Sequence, residues 1–344
     1  MLIYADKNGH ELVCHESASE AFIAQLASTE FGTSELRYRR LDCEQVASRL
    51  DDARFLELTK RGELIGTYMF CPQRLAIGDV ELSGTYRGLL TVAPEHRSSG
   101  VSRLLVREAL AWLRQQADGQ PHVTFGCIDL GNQRSIRLLQ SVGVRQFGEL
   151  RSMLVYRHLT ARSDSVDVVD STARITEALQ AGYGDCGLRP LHESNGPFYG
   201  IADGGTLVAG ARAELVRLNL AAPDSYWPRV YGAMIDVFPP GKRRFDPREF
   251  RYVRLFDVVA RENSAAAWRT LLKDILDRHG AHMAMFVMDP RRETYAELER
   301  AGLFGRLSRL TRQNIAVVGN ALHPGDTLIK QIIDQPLAIG PPDI

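Results

Sequence analysis

The stretch Leu89-Leu-Thr-Val-Ala-Pro-Glu-His-Arg-Ser-Ser-Gly-Val-Ser-Arg-Leu-Leu105 decides how this chain is read. It opens as an apolar strand, breaks at a proline turn, passes through a loop of small residues and enters a helical repeat. Val101, Leu104, Leu105, Ala109 and Trp112 fall on one face of a helix running from about Ser99 to Ala117. The first turn of any helix presents backbone N–H groups without intrahelical partners and the positive end of its dipole. Ser98, Ser99, Gly100 and Ser102 are small enough for an anion, a diphosphate above all, to approach that backbone. Serine also caps helices that meet no ligand, so the loop needs its context.

Reading outward, a short strand is expected at Leu2–Tyr4, a helix across Ser19–Ala27, and strands at Arg54–Thr59, Glu63–Phe70 and Tyr86–Val92. Beyond the helix come a strand at His122–Asp129, a second helix at Asn132–Ser141 and a closing strand over Val144–Tyr156. The polar, acidic segment Ala161–Ser171 reads as a linker. The second half repeats the tail of this order: strand Phe250–Ala260, helix Ser264–His279, strand Ala281–Met288, helix Arg291–Arg300 and strand Leu307–Val318. Its long helix carries Trp268, Leu271, Leu272, Ile275 and Leu276 at helical spacing. Gly143 and Gly302 stop the corresponding second helices, with Leu139 and Leu298 at equal distances before them. These correspondences predict an α/β (α+β) fold, a mixed sheet flanked by helices and duplicated in tandem. Domains are expected at 1–160 and 161–330, with a Pro-rich tail at 331–344 that either docks on the body or stays mobile.

Two spacings carry a family resemblance. Val92-x-Pro-x-x-Arg97-x-x-Gly100-x-Ser102 resembles the coenzyme A loop of the GNAT acyltransferases, Arg/Gln-x-x-Gly-x-Gly/Ala, with Ser102 at the last small position. Asn132-x-x-Ser135-x-x-Leu138-Leu139-x-x-x-Gly143-Val144 resembles the family's second motif, Asn-x-x-Ala-x-x-Leu-Tyr-x-x-x-Gly-Phe. The resemblance implies a mostly antiparallel sheet and acetyl-CoA, or another acyl-CoA, as co-substrate. The backbone of Leu90, Thr91 and Val92 is then expected to pair with pantetheine amides. Arg97 and the amides of Ser98, Ser99, Gly100, Val101, Ser102 and Arg103 are expected to hold the diphosphate, and Asn132 to contact pantetheine or cap its own helix. The implied reaction is N-acylation, with acetyl transferred from acetyl-CoA to a primary amine of a small molecule or protein by direct attack in a ternary complex. The alternative is a non-catalytic acyl-CoA-sensing module of the same fold.

The catalytic residues are less evident. Many family members carry a tyrosine acid on the second helix, where this chain has Leu139. Tyr86 stands on the strand six residues before Val92, where some members carry a glutamate base. Simple alternation places Tyr86 on the same face as Leu90 and Val92, making it the first candidate for an acid or proton relay. Glu81 and Asp79 are weaker base candidates, His96 reads as exposed in the turn, and His122 and Cys127 lie on the following strand. In the second half, Val259–Ala267 lacks the loop glycine and sets Glu262 where a phosphate would be repelled, while Arg291 replaces the asparagine and Thr294 the serine. That half is expected to keep the fold, lose coenzyme binding and wall the acceptor cleft. Residues Ser17–Leu50 and Gly184–Pro197 are expected to supply further walls. Lys242–Arg251 forms a basic cluster, either a solvated loop or a contact for an acidic substrate.

Composition sets the outer limits. Lys plus Arg (42) balance Asp plus Glu (42), giving no electrostatic pull toward nucleic acid or acidic membrane. Five scattered cysteines form no Cys-x-x-Cys, which argues against a zinc site or a disulfide framework and for a reducing, cytoplasmic setting. No metal is expected, and exposed sheet edges permit a homodimer.

Overall fold

The computed structural model describes residues 1–32, 37–156, 167–169, 171–183, 186–191, 197–220, 247–281, 283–305, 308–309, 311–322 and 326–339. In chain order the first half contains β1 (Leu2–Ala5), β2 (His10–His15), α1 (Glu20–Ser28), β3 (Phe31–Gly32), β4 (Arg37–Arg40) and α2 (Cys43–Arg49). It continues through β5 (Arg54–Lys60), β6 (Glu63–Ile77), β7 (Val80–Val92), α3 (Val101–Gln116), β8 (His122–Asp129), α4 (Gln133–Gln140) and β9 (Arg145–Tyr156). The second half contains β10 (Asp167–Val168), α5 (Thr172–Tyr183), β11 (Arg189–Pro190), β12 (Phe198–Asp203), β13 (Thr206–Leu220) and β14 (Phe250–Ala260). There follow α6 (Ala265–Arg278), β15 (Met283–Met288), α7 (Glu293–Arg300), β16 (Gln313–Leu322) and α8 (Asp326–Asp334).

The strands form one 16-stranded sheet whose main path runs β1-β2-β5-β6-β7-β8-β16-β9-β15-β14-β13-β12-β10. Local chemistry fixes the hairpins. Arg61 and Gly62 both have positive φ (53° and 85°), the conformation a tight β5–β6 turn requires. Every strand pairing is antiparallel except β7–β8 and β14–β15, where a helix must carry the chain across. The mostly antiparallel mixed sheet flanked by helices is therefore the predicted fold class. α3 buries Val101, Leu105, Val106, Ala109, Leu110 and Leu113 on one side of the first half's strands. α6 buries Trp268, Leu271, Leu272, Ile275 and Leu276 in the same way in the second half.

The sequence pattern did not reveal how the halves join. β8 pairs along its far edge with β16, from Asp129↔Ile315 to His122↔Leu322, and not with β9. β15 pairs with β9, from Met283↔Tyr156 to Met288↔Arg151, and not with β16. Each half thus lends its closing strand to the other. A second exchange accompanies the first: β4 of the first half pairs with Leu218–Leu220 of β13, and β11 of the second pairs with Leu75 and Ala76 of β6. The boundary expected at 330/331 falls inside α8, and the tail docks: Ile329, Ile332, Leu337 and Ile339 are buried against Phe125, Phe147 and Ile315. The Leu337 N–H donates to Asp289 Oδ2 at 2.9 Å, which anchors the segment. Most of the Ala161–Ser171 linker and half of the Lys242–Arg251 cluster lie outside the described residues.

Gly319 makes the exchange of β16 sterically possible. A Cβ there would stand 2.2 Å from the Thr124 carbonyl oxygen and 2.3 Å from the Phe147 ring. Gly319→Ala is expected to cost about 1–3 kcal/mol in urea denaturation, whereas Gly305→Ala, with open space at its Cβ, should change stability by less than about 0.5 kcal/mol. Equal effects would refute this account of the inserted strand.

Candidate active site: an open strand edge leading to a helix N-terminus

β7 and β8 pair only from Ser83↔His122 to Tyr86↔Phe125. Beyond that vertex they diverge, because β8 continues along β16 while β7 continues along β6. The edge of β7 facing the gap therefore presents backbone N–H and C=O groups without a strand partner, which is the condition for an extended ligand to add as a strand. A bulge shapes this edge. Met69 pairs with Gly88 and Thr67 with Thr91, so β7 has an extra residue there, and Leu89 takes a positive φ of 51°. Such a conformation costs energy for a branched residue and marks strained, functional backbone.

The bulge overturns the face assignment made from simple alternation. Tyr86 and Leu89 belong to the core that includes Phe22 and Leu26 of α1, whereas Leu90 and Val92 pack on the opposite side with α3. Tyr86 is buried, edge-to-face against Phe125 with ring centroids 5.5 Å apart. Its side chain therefore shares the α1 face with Thr91, whose hydroxyl accepts from Gln25 of α1 at 2.8 Å and lies 2.6 Å from the Thr67 hydroxyl. Glu81 is not brought to the gap. It sits near the tip of the β6–β7 hairpin, exposed and paired with Arg74 at 3.0 Å, roughly 35 Å along the strand from Val92. His122 is buried and 3.0 Å from the Thr85 hydroxyl, with burial pushing its pKa down. His96 is half-buried in the Pro94–His96 turn, and Cys127 packs beside the Tyr86 core.

At the far end of the edge, residues 93–100 form an exposed loop into α3. Ser98 and Gly100 both have positive φ (76° and 86°) on either side of Ser99, whose own N–H donates to the His96 carbonyl at 3.4 Å. Leu104 N–H makes the first intrahelical bond, to the Gly100 carbonyl, leaving those of Val101, Ser102 and Arg103 without one. No side chain caps this helix and no acidic residue lies in its first turn. Arg97 folds back so that its Nε donates to the Val92 carbonyl at 3.3 Å. The sequence reading missed Arg134. From α4 its Nη2 reaches Ser98 Oγ at 3.4 Å, adding a second cation to the loop. Only the fold joins these positions, so sequence spacing held no signal for it. Asn132 caps α4 by accepting from the Ser135 N–H at 3.2 Å, the structural one of its two expected roles.

The second half repeats the geometry without the cradle. β14 and β15 pair from Val253↔Ala284 to Leu255↔Phe286 and then diverge, and Asp257 takes a positive φ of 50° at an equivalent bulge. Yet only residues 261–264 separate β14 from α6, half the span of the first loop. The Asp257 carboxylate receives Arg212 Nε at 3.0 Å and the Tyr183 hydroxyl at 3.4 Å. The helix junctions also correct one sequence correspondence. Asp129 accepts from Gly131 N–H and Asp289 from Arg291 N–H, so Arg292 and not Arg291 stands where Asn132 does, as N-cap of α7.

Residues 18–144 match the family profile described as the acetyltransferase (GNAT) family. Among solved structures, two of Saccharomyces cerevisiae N-myristoyltransferase with bound myristoyl-CoA resemble the chain. One has TM-score 0.58 at 10% identity, covering 92% of this chain and 83% of that one. The other has TM-score 0.59 at 9% identity, covering 92% and 80%. A GCN5-related N-acetyltransferase from Anabaena variabilis has TM-score 0.50 at 13% identity, covering 89% and 72%. At these identities the likeness is one of fold. No curated protein matches the chain by sequence. The profile match is confined to residues 18–144. Among the described residues no group of His, Cys, Asp or Glu is arranged to hold a metal ion, and no helix is long and apolar enough to cross a membrane.

Two outcomes follow from the loop. Gly100→Glu should weaken coenzyme A binding by about 100-fold in calorimetric titration, and Arg134→Ala by about fivefold with a shallower salt dependence; unchanged affinity in both would remove the loop as the anion site. Stability should also fall as pH drops from about 6.5 toward 5. Burial depresses the His122 pKa in the fold, so as the pH falls the unfolded state takes up its proton before the folded one does. His122→Gln should flatten this slope in pH-dependent urea melts.

Proposed function

We propose that the chain is an acyl-CoA-dependent N-acyltransferase whose first half binds the coenzyme. The supporting observation is the unpaired β7 edge that runs from the Tyr86–Phe125 vertex to the uncapped N–H cradle of α3. In this reading the amides of Ser98 to Arg103, with Arg97 and Arg134, hold the diphosphate. The backbone at Leu90, Thr91 and Val92 pairs with the pantetheine amides, and an N–H near Val92 polarises the thioester carbonyl. The acceptor amine attacks that carbon from the α1 face. The C–N bond forms, the C–S bond breaks, and the amine's proton leaves to solvent as the thiolate is protonated. Leu139 is buried in the α3–α4 core and supplies no proton. Tyr86, on the α1 face at the vertex, is the proposed donor to the sulfur.

The second half is read as a copy of the first that has lost the coenzyme loop and walls the acceptor site. A cavity of about 1460 Å³ supports this, because Thr85 and Phe125 of the first half line it together with Arg254, Asp257 and Val258 of the second. That volume accommodates a small-molecule amine or the end of a polypeptide. Acetyl is the acyl group the family description names, and a feature of the vertex bears on that choice below.

Purified chain mixed with an acyl-CoA and a panel of primary amines should release free thiol in an amine-dependent manner, detected with a thiol-reactive chromogen. Gly100→Glu should reduce the rate by about 100-fold, and Tyr86→Phe should lower kcat by about tenfold with coenzyme affinity unchanged. Coenzyme binding without thiol release for any amine would favour the non-catalytic sensing module instead.

A further inference from the structure

Arg87 is the first β7 residue past the paired stretch, and it is 4% exposed. It shares a face with its β6 partner Phe70, so its side chain lies on the α3 side of the sheet. From there its Nη2 donates to the Val318 carbonyl at 3.1 Å. Val318 pairs with Gly126 on the far edge of β8, so the guanidinium passes over Gly126 and spans the vertex of the gap. The crossing needs that glycine, since a Cβ on Gly126 would stand 2.8 Å from the Arg87 carbonyl oxygen and 3.8 Å from its Cβ. Nε and Nη1 of Arg87 are buried and have no hydrogen-bond partner among the described residues.

A guanidinium keeps its charge under all ordinary conditions, and a buried one is normally matched by a carboxylate. The other buried arginines follow that rule or find a ring. Arg40 faces Asp42, Arg212 faces Asp257 and Arg254 faces Glu214, while Arg292 lies 4.8 Å over the Tyr183 ring. Among the described residues Arg87 has neither; its polar neighbour is the Tyr68 hydroxyl, whose pKa burial pushes up while the Arg87 charge and a hydrogen bond from that guanidinium pull it back.

The second half shows what this vertex looks like as plain core. By strand register and bulge position, Leu255 and Phe286 occupy the places of Arg87 and Gly126. Both are buried, and they pack in the core beneath α6. The fold is therefore satisfied there by a leucine and a phenylalanine. The half with the anion cradle instead removes the aromatic side chain and installs an unmatched cation.

Resting on the acyl-CoA reading, we infer that the acyl group carries an anionic tail: the donor is the CoA thioester of a short dicarboxylic acid, and Arg87 binds its free carboxylate. Along the strand, Arg87 and Leu90 are roughly 10 Å apart, a span that a short acyl tail and an arginine side chain cover together. The carboxylate would take the orphaned Nε and Nη1 in a two-point pair.

The test is calorimetric titration of the full chain with CoA, succinyl-CoA and butyryl-CoA, the last matching succinyl in carbon count without the charge. Wild type should bind succinyl-CoA about tenfold more tightly than butyryl-CoA. In Arg87→Leu, the residue the second half carries, that ratio should fall to about one while CoA affinity is retained. Equal affinities for the two thioesters in the wild type overturn the inference whether or not the variant folds, and a ratio that survives in a folded Arg87→Leu overturns the role of Arg87. Absence of binding by CoA itself would instead defeat the acyl-CoA reading.

Discussion

Because β16 lies between β8 and β9, the hydrogen bonds that complete the first half's sheet come from the last strand of the chain. The same holds in reverse for β9 against β15. Neither half can close its own sheet, and an unclosed edge at the centre of a sheet leaves a row of buried backbone groups without partners. The exchange also sets the gap. Once β8 is committed to β16 along its whole length, nothing draws it back toward β7 beyond Phe125, and the Leu89 bulge completes the separation. The open edge, the vertex and the α3 cradle all follow from that commitment.

The bulges at Leu89 and Asp257 are the same device in two settings. Each puts a non-glycine residue in the left-handed region within a long strand, a cost that a sheet bears only when its surroundings enforce it. In the first half the surroundings are Thr67, whose hydroxyl donates to the Leu89 carbonyl at 3.2 Å, and the Thr91–Gln25 contact to α1. In the second, the bulge lets the Asp257 carboxylate accept from Arg212 and from the Tyr183 hydroxyl. A strained backbone is thus kept in both halves, open in one and internally satisfied in the other.

Much of this was legible in the sequence, and the exceptions have physical causes. Helical spacing located α3, α4, α6 and α7, because each buries one stripe against a sheet and the period survives in the residues. The loop before α3 was readable because its geometry uses small residues and a left-handed glycine at position 100. The face of Tyr86 was misjudged because one extra residue at Leu89 inverts every later position of the strand while leaving composition unchanged. The strand exchange was invisible, since β9 and β16 have the same alternation whichever neighbour they pair with. Arg87 and Arg134 were passed over for a related reason. A lone arginine in a strand or helix has no pattern, and its meaning lies in the lack of a carboxylate partner among the described residues or in a loop that the fold brings within reach.

The reciprocal strands make the second half part of the first half's own architecture. β4 lies between α1 and α2, the helices that face the Tyr86 side of the gap, and it is held in place by Leu218, Asn219 and Leu220 of β13. Asp42, at the head of α2, accepts from the Arg217 N–H, and Arg49 at its end pairs with Glu214 of β13. The wall opposite the open β7 edge is therefore positioned by both halves, α1 through Gln25 on Thr91 and α2 through its contacts with β13. Selection on such a half acts on its sheet register and on the charges along β13, while its own vertex is free to close with Leu255 and Phe286. That asymmetry is what a division between coenzyme binding and acceptor positioning would leave behind, since the buried arginine at the first half's vertex faces no carboxylate among the described residues, whereas Arg254 at the second half's vertex faces Glu214.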